Sequence, residues 1–113
     1  MQIASISGLD NDVLRFSFTN GSTLELRDTG QSCCESRYMT CDDDLKPIIG
    51  ATLLGWEIRD VTYDGDDYDV HEIQFLVVNT SQGSFTVANH NEHNGYYGGF
   101  SIEEQWTHPA THP

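Results

Sequence analysis

Apolar and polar residues alternate over much of the chain, with the period of two that is typical of β-strands. The alternation is clearest at positions 14–18 and 24–26, which the dipeptide Asn20-Gly21 separates. Asn-Gly between two alternating segments is a strong hairpin signal, because both residues accept the positive φ of a tight turn. A shorter apolar segment at 3–6 precedes this hairpin. The first quarter of the chain is therefore predicted to be antiparallel sheet with one apolar face and one wet face.

A second hairpin is predicted from positions 70–80 and 84–89, with Ser81-Gln82-Gly83 as its turn. Apolar residues occur on both faces of the 70–80 segment, which indicates a central strand that is covered on both sides. Positions 52–63 form another long strand candidate. One face of that strand is predicted to carry three apolar residues, namely Leu54, Trp56 and Ile58.

The segment 42–49 is the one predicted helix. The aspartates at its start favour a helix N-terminus through capping and the helix dipole. Apolar residues at 45, 48 and 49 then recur with helical spacing. Pro47 limits the helix to a short one, because proline is tolerated only in the first turn.

The predicted fold class is mainly β (α+β), either a single curved antiparallel sheet or a partly open barrel, with one short helix. We expect one domain over residues 1–106, a length that suits a single hydrophobic core. Residues 107–113 contain two prolines and are predicted to form a flexible C-terminal tail.

Charge narrows the classes of partner. The 113 residues include 18 Asp and Glu against 5 Lys and Arg, a formal net charge of −13, which disfavours direct binding to DNA or to an anionic membrane. We find no signal peptide and no apolar segment that would span a bilayer. Three cysteines without a secretion signal favour reduced thiols in a cytosol.

The segment 90–100, HNEHNGYYGGF, combines two histidines, a carboxylate, two carboxamides, three aromatic rings and three glycines. Packing does not require that mixture, which is typical of a functional loop. Carboxamides give directional hydrogen bonds, tyrosines give a stacking surface, and two arginines elsewhere supply charge. The predicted ligand-binding residues are His90, Asn91, Glu92, His93, Asn94, Gly95, Tyr97, Arg37 and Arg59. Strand parity after the loop places Tyr97 in the functional contact and Tyr96 in the core.

Two chemical alternatives use the cysteines. Cys33 or Cys34 together with His90 and His93 would form a zinc site of Cys and His ligands, but the paired Cys-x-x-Cys spacing that marks such sites is missing. Either cysteine as nucleophile, with His90 or His93 as base and Glu92 or Asn91 to orient that base, would form a hydrolase. An acidic surround, however, raises a thiol pKa and opposes the thiolate. We therefore assign no catalytic residue and no cofactor, and we expect the fold not to need zinc.

Several segments together resemble a family of small uncharacterised bacteriophage proteins that is defined as a domain of unknown function. They are GQSCCE at 30–35, Tyr38-Met39, the segment 42–50, HEIQFL at 71–76 and HNEHNGYYGGF at 90–100. The resemblance covers roughly residues 29–103. It implies a phage origin and action in the host bacterial cytoplasm, and it brings no established activity.

The function expected from these observations is a small acidic binding module without enzymatic activity. Its partner would be a host protein or a host signalling nucleotide, bound through the 90–100 segment. Two alternatives stay open. One is an acidic mimic of DNA that occupies a host nucleic-acid-binding protein through the carboxylates at 42–44 and 60–69. The other is a hydrolase, either metal-dependent through its His and Cys residues or a Cys-His enzyme. The sequence leaves the oligomeric state open.

Overall fold

The computed structural model describes residues 1–30, 36–65, 70–93 and 100–108, with backbone alone for residues 60–65. These residues form eight β-strands: β1 (Ile3–Ser7), β2 (Val13–Phe18), β3 (Thr23–Asp28), β4 (Ser36–Thr40), β5 (Leu53–Gly65), β6 (Val70–Thr80), β7 (Gly83–His93) and β8 (Ile102–Thr107). They build two antiparallel four-stranded sheets. The first sheet has the order β1-β2-β3-β8, and the second has the order β4-β7-β6-β5.

Both predicted hairpins are confirmed. β2 and β3 pair across a turn in which Gly21 has a φ of 88° and the Asn20 side chain accepts a hydrogen bond from the Ser22 amide. β6 and β7 pair along their whole length, from Val70 opposite His93 to Thr80 opposite Gly83. β6 lies between β5 and β7, which confirms its central position.

The two sheets bury a common apolar core. Each sheet contributes alternate residues from its inner face, and the rings of Phe16 in the first sheet and Phe85 in the second lie 6.3 Å apart. The buried cluster comprises Ile3, Leu14, Phe16, Phe18, Leu24 and Leu26 with Met39, Ile48, Leu76, Val78, Phe85 and Val87. The face of the second sheet that points away from this core is called the outer face below.

The prediction of a single curved sheet is wrong, since the described strands form two antiparallel sheets, and these do not close into a barrel. β8 returns to pair with β3, and β4 pairs with β7. Alternation fixes which side chains share a face of a strand, but it does not specify the neighbouring strand. The β-rich class is confirmed, and none of the described residues belongs to a helix long and apolar enough to cross a membrane.

The predicted helix at 42–49 is also wrong. The segment contains one 3-10 turn, Lys46–Ile48, with Pro47 inside it. The aspartates bind elsewhere, because Asp44 accepts from the Lys46 amide and Asp43 accepts from the Thr86 amide of β7. Short acidic side chains that satisfy such local and tertiary amides compete with helix formation.

β5 departs from the predicted face because its register shifts between Leu53 and Gly55. A bulge of this kind reverses the alternation at one residue. Leu53 and Trp56 therefore both pack against the core, and Leu54 between them is 67% exposed. Ile58 keeps the parity of Trp56 and pairs with the buried Leu76, but it lies on an edge strand and is 49% exposed.

β8 extends one residue beyond the predicted domain boundary at 106. Thr107 pairs with Thr23, and Trp106 stacks on Phe18 with 5.8 Å between ring centres. The end of the core is thus covered by a paired strand. Residues 109–113, most of the predicted tail, lie outside the described part of the chain.

Candidate functional site

Three adjacent strands bring a polar cluster together on the outer face. Antiparallel pairing places Tyr38 of β4 opposite His90 of β7, and Glu92 opposite His71 of β6. Thr40 lies two residues along β4 from Tyr38 and therefore shares its face. We call these five residues, Tyr38, Thr40, His71, His90 and Glu92, the His90 cluster.

His90 is hydrogen-bonded through both of its ring nitrogens. Its Nε2 lies 2.7 Å from the hydroxyl of Thr40, and its Nδ1 lies 2.8 Å from Nε2 of His71. The two imidazole centres are 5.0 Å apart. Because the hydrogen bond occupies more than half of that distance, the rings meet edge to edge. A hydroxyl and two imidazoles thus form one continuous hydrogen-bonded chain.

Tyr38 covers one face of the His90 ring. The two rings are nearly parallel, at 7°, and their centres are 4.5 Å apart. Burial raises the pKa of Tyr38, and the hydrogen bond from its hydroxyl to the carboxylate of Glu92 raises it further. The phenol therefore stays protonated and holds both the ring and Glu92 in place.

The environment of His90 favours its neutral form. Burial lowers the pKa of His90, and the neighbouring imidazole of His71 lowers it further, against the opposing effect of the Glu92 carboxylate. A neutral imidazole can accept a proton, which is the requirement for a general base or a hydrogen-bond acceptor.

A depression of about 180 Å³ lies beside the Thr40 hydroxyl on the same face. The small side chain of Ala88 leaves this space open between taller neighbours. Its lining consists of Thr40, Asp42, Asp43, Phe75, Thr86 and Ala88. The outer face therefore combines a ring cluster with an adjacent acidic recess.

The inner face of the same strands carries a second polar group, centred on Asp28. This carboxylate accepts from Nη1 of Arg37 at 2.7 and 2.8 Å, from the Asn89 amide at 3.0 Å, and from the backbone amides of Gly30 and Ser101. Burial alone would raise the pKa of Asp28, but the hydrogen bonds from Gly30, Asn89 and Arg37 outweigh it and lower that pKa. Asp28 thereby joins β3 of the first sheet to β4 and β7 of the second.

The predicted binding residues divide between these environments. His90 and Glu92 lie in the His90 cluster, whereas Asn91 and His93 point to the inner face, as strand parity requires. Arg37 is the buried partner of Asp28, at 7% side-chain exposure, which argues against its predicted role as a ligand contact. Arg59 is an exposed residue of β5 that pairs with Glu57. Asn94, Gly95 and Tyr97 lie outside the described residues, as does Tyr96.

The structure separates the histidines of the metal alternative. His90 faces outward, while His93 faces inward and lies 2.6 Å from a carboxylate oxygen of Glu72. Residues three apart on a strand point to opposite faces, so His90 and His93 do not converge on one ion. Cys33 and Cys34 lie outside the described ranges, within which no three metal-binding side chains are grouped.

The cysteine that the structure does describe is poorly suited to attack. Burial raises the pKa of Cys41, and the carboxylates of Asp43 and Asp42 raise it further, against a hydrogen bond to the Asp43 backbone. A thiol in this setting stays protonated near neutral pH, and the thiolate is the nucleophilic form.

Sequence reasoning missed Tyr38, Thr40 and His71. His71 shares outward parity with Ile73 and Phe75, so its face was predictable once the strand at 70–80 was assigned. No sequence signal indicated that β4 lies beside β7, and that pairing alone brings Tyr38 and Thr40 to His90.

No curated protein and no solved structure matches the chain. A family model described as a domain of unknown function (DUF7448) matches residues 2–102. The matched range includes both sheets from β1 to the first residue of β8, and it contains the whole His90 cluster. The chain therefore belongs to the DUF7448 family, whose description assigns no activity.

Proposed function

We propose that the chain is a phage-encoded acidic binding module that engages a host protein in the bacterial cytoplasm through the outer face around His90. The phage origin and the location rest on the sequence resemblance. The choice of a protein partner rests on the distribution of charge in the two sheets.

The pairing of the arginines carries the proposal. Arg15 and Arg27 both bind Glu25, Arg37 binds Asp28, and Arg59 binds Glu57. Within the described residues, Lys46 is the one Lys or Arg outside such a pair. An anionic nucleotide that approached one of these guanidinium groups would also meet the carboxylate paired with it, and this like charge disfavours a nucleotide ligand.

The outer face suits a basic protein surface instead. Glu92, Asp42 and Asp43 surround the rings of the His90 cluster and the adjacent recess. Carboxylates around a partly exposed tyrosine complement a protruding lysine or arginine, and tyrosine is among the residues enriched at binding hot spots.

The acidic DNA mimic is the second candidate, because the net charge of −13 also selects a basic partner. The two candidates differ in the residues they need. A mimic depends on the distributed carboxylates at 42–44 and 60–69, and it does not require the ring of Tyr38.

Site-directed photocrosslinking in bacterial cells tests whether the partner binds at the outer face. A photoreactive amino acid at Ser36, which pairs with Glu92 on the outer face, is expected to capture the partner. The same amino acid at Ser5, on β1 of the first sheet, is the matched control and is expected to capture nothing specific. Equal capture of one protein from both positions would contradict the proposed face.

Affinity measurements with the identified partner test the residues. Tyr38→Ala and Glu92→Gln are each expected to weaken binding at least about tenfold, which corresponds to about 1.4 kcal/mol. Ser5→Ala should bind like the unmodified chain. If Tyr38→Ala binds normally and replacement of Asp64, Asp66, Asp67 and Asp69 by asparagine abolishes binding, the DNA mimic is the correct function.

A further inference from the structure

We propose that Thr40, His90 and His71 form a hydroxyl–imidazole–imidazole triad that cleaves small carboxylic esters, with Thr40 as the nucleophile and His90 as its base. This activity goes beyond partner binding and does not rest on it. Thr40 and His90 would be catalytic residues, and His71 would be a positioning residue.

The distances match the roles. A hydroxyl nucleophile needs a base within about 2.6–3.2 Å, and the base needs a third group to orient it. Thr40 Oγ1 lies 2.7 Å from His90 Nε2, and His90 Nδ1 lies 2.8 Å from His71 Nε2. When Nδ1 of His90 carries the proton, it donates a hydrogen bond to Nε2 of His71. Nε2 of His90 can then accept a hydrogen bond from the Thr40 hydroxyl. The order of groups is that of the serine-protease triad, with a second imidazole as the orienting group.

The supports of the triad are rigid. Its three members lie on adjacent strands, β4, β7 and β6, which pair directly in that order. The parallel ring of Tyr38 at 4.5 Å restricts rotation of the His90 ring. Sites built on paired strands and locked by neighbouring side chains keep the geometry that catalysis requires. Thr40 itself is exposed, so its oxygen can be reached by a substrate.

The recess beside Thr40 defines the class of substrate. Its volume of about 180 Å³ is below the range of about 300–1,000 Å³ typical of pockets for drug-sized ligands, so it accommodates a small acyl group. Asp42 and Asp43 on its rim favour an acyl group with a positive charge. We infer that aminoacyl esters fit best and that anionic esters are rejected.

The reaction is an ester hydrolysis, with water as the second substrate. Thr40 Oγ1 attacks the ester carbonyl carbon while its proton moves to His90 Nε2. Collapse of the tetrahedral intermediate breaks the bond to the leaving alcohol, which takes the proton from His90. Water then attacks the acyl-threonine, gives a proton to His90, and releases the carboxylic acid as Thr40 regains its hydrogen.

Covalent labelling tests the nucleophile without a known substrate. Diisopropyl fluorophosphate should form one Oγ1–P bond at Thr40 and release fluoride, and peptide mass spectrometry would locate the adduct. Labelling should disappear in Thr40→Val, which keeps the shape but lacks the hydroxyl, and should fall at least about 100-fold in rate in His90→Gln. Thr40→Ser should still be labelled.

Ester turnover tests the mechanism. With the p-nitrophenyl ester of glycine, Thr40→Val and His90→Gln should each lower kcat by at least about 100-fold, the usual effect of losing general-base assistance. His71→Leu should lower kcat with little change in KM, and His71→Gln, which retains an acceptor, should recover part of the loss. Ser84→Ala removes a hydroxyl elsewhere on β7 and should have no effect.

Several results would overturn the proposal. It is wrong if no adduct forms on Thr40, if Thr40→Val hydrolyses the ester as fast as the unmodified chain, or if no ester in a panel of aminoacyl, neutral and anionic members is cleaved. The outcome is independent of the binding proposal, because Thr40→Val should retain the partner while Tyr38→Ala should lose it.

Discussion

Asp28 connects the two sheets through a single buried carboxylate. Its side chain is 4% exposed, and that of Arg37 is 7% exposed. Removing one member of such a pair leaves the other charge buried without compensation. Asp28→Asn is therefore expected to lower the free energy of unfolding by about 3–5 kcal/mol, measured by urea denaturation.

The exposed pair of Glu57 and Arg59 provides the control for this prediction. Glu57→Gln should leave the urea midpoint unchanged, because surface ion pairs contribute little. The pKa of Asp28 is lowered by folding, so the contribution of the ionised carboxylate is present above its ordinary pKa and is lost as the pH falls through the lowered value. A loss of stability in Asp28→Asn no larger than in Glu57→Gln would show that the carboxylate does not join the sheets.

His90 is expected to make the free energy of unfolding depend on pH. The direction is opposite to that of a histidine whose charged form is stabilised by folding. The pKa of His90 is lowered in the folded chain, so the unfolded chain binds more protons and stability rises with pH through the histidine range. We expect unfolding free energy to fall between about pH 7.5 and about pH 5.5, around the ordinary histidine pKa of about 6.5. The groups facing His90 are Tyr38, Thr40, His71 and Glu92.

The matched measurement uses His90→Gln, which keeps a polar side chain but does not titrate. The difference in unfolding free energy between the two proteins should shift in favour of His90→Gln as the pH falls. A constant difference across this range would mean that folding does not change the pKa of His90.

The bulge in β5 determines which of two neighbouring leucines belongs to the core. Leu53 packs against the core, and Leu54 is 67% exposed. Leu53→Ala should lower the free energy of unfolding by about 2 kcal/mol, the lower end for truncated core leucines. Leu54→Ala should change it by less than about 0.5 kcal/mol. If thermal or urea melts show a larger loss of stability for Leu54→Ala than for Leu53→Ala, the unbulged register predicted from the sequence is correct.

Local elements of the fold were predictable because their signals are local. Asn20-Gly21 specified the first hairpin, and continuous alternation specified the long hairpin of β6 and β7. The pairings of β8 with β3 and of β4 with β7 join distant parts of the chain, and no period along the sequence encodes them. The predicted helix at 42–49 does not form because Asp43 accepts a hydrogen bond from an amide of β7 and Asp44 accepts one from an amide of the 3-10 turn. Helical periodicity in the sequence does not reveal either hydrogen bond.

The same distinction explains the candidate site. The composition of the 90–100 segment predicts a functional loop that includes His90 and Glu92, but the first four residues of the segment belong to β7. Strand geometry then sends His90 and His93 to opposite faces, which a loop would not do. Thr40 and Tyr38 are ordinary strand residues by sequence, and they acquire a role only through the strand that lies beside them.

At the scale of the whole molecule, charge and size act together. The net charge is −13, and the principal extents are 55 × 32 × 20 Å. The Debye length is about 30 Å at 0.01 M salt and about 10 Å at 0.1 M. At low salt, carboxylates on both sheets therefore repel one another across the molecule, and at moderate salt they interact mainly with near neighbours. Like charge of this size destabilises the compact state.

Sodium chloride is consequently expected to raise the melting temperature between about 0.01 M and about 0.15 M. A stabilisation of about 1 kcal/mol would appear as a rise of about 4 °C in a chain of this length. The matched variant replaces three exposed carboxylates, Asp10→Asn, Asp42→Asn and Glu104→Gln, and takes the net charge from −13 to −10. It should melt higher at low salt and respond less to added salt, because less repulsion remains to be screened. Differential scanning calorimetry of both proteins over this range measures the two slopes. A melting temperature that falls with salt would mean instead that attractive pairs, such as Arg15 with Glu25, outweigh the repulsion among the surplus carboxylates.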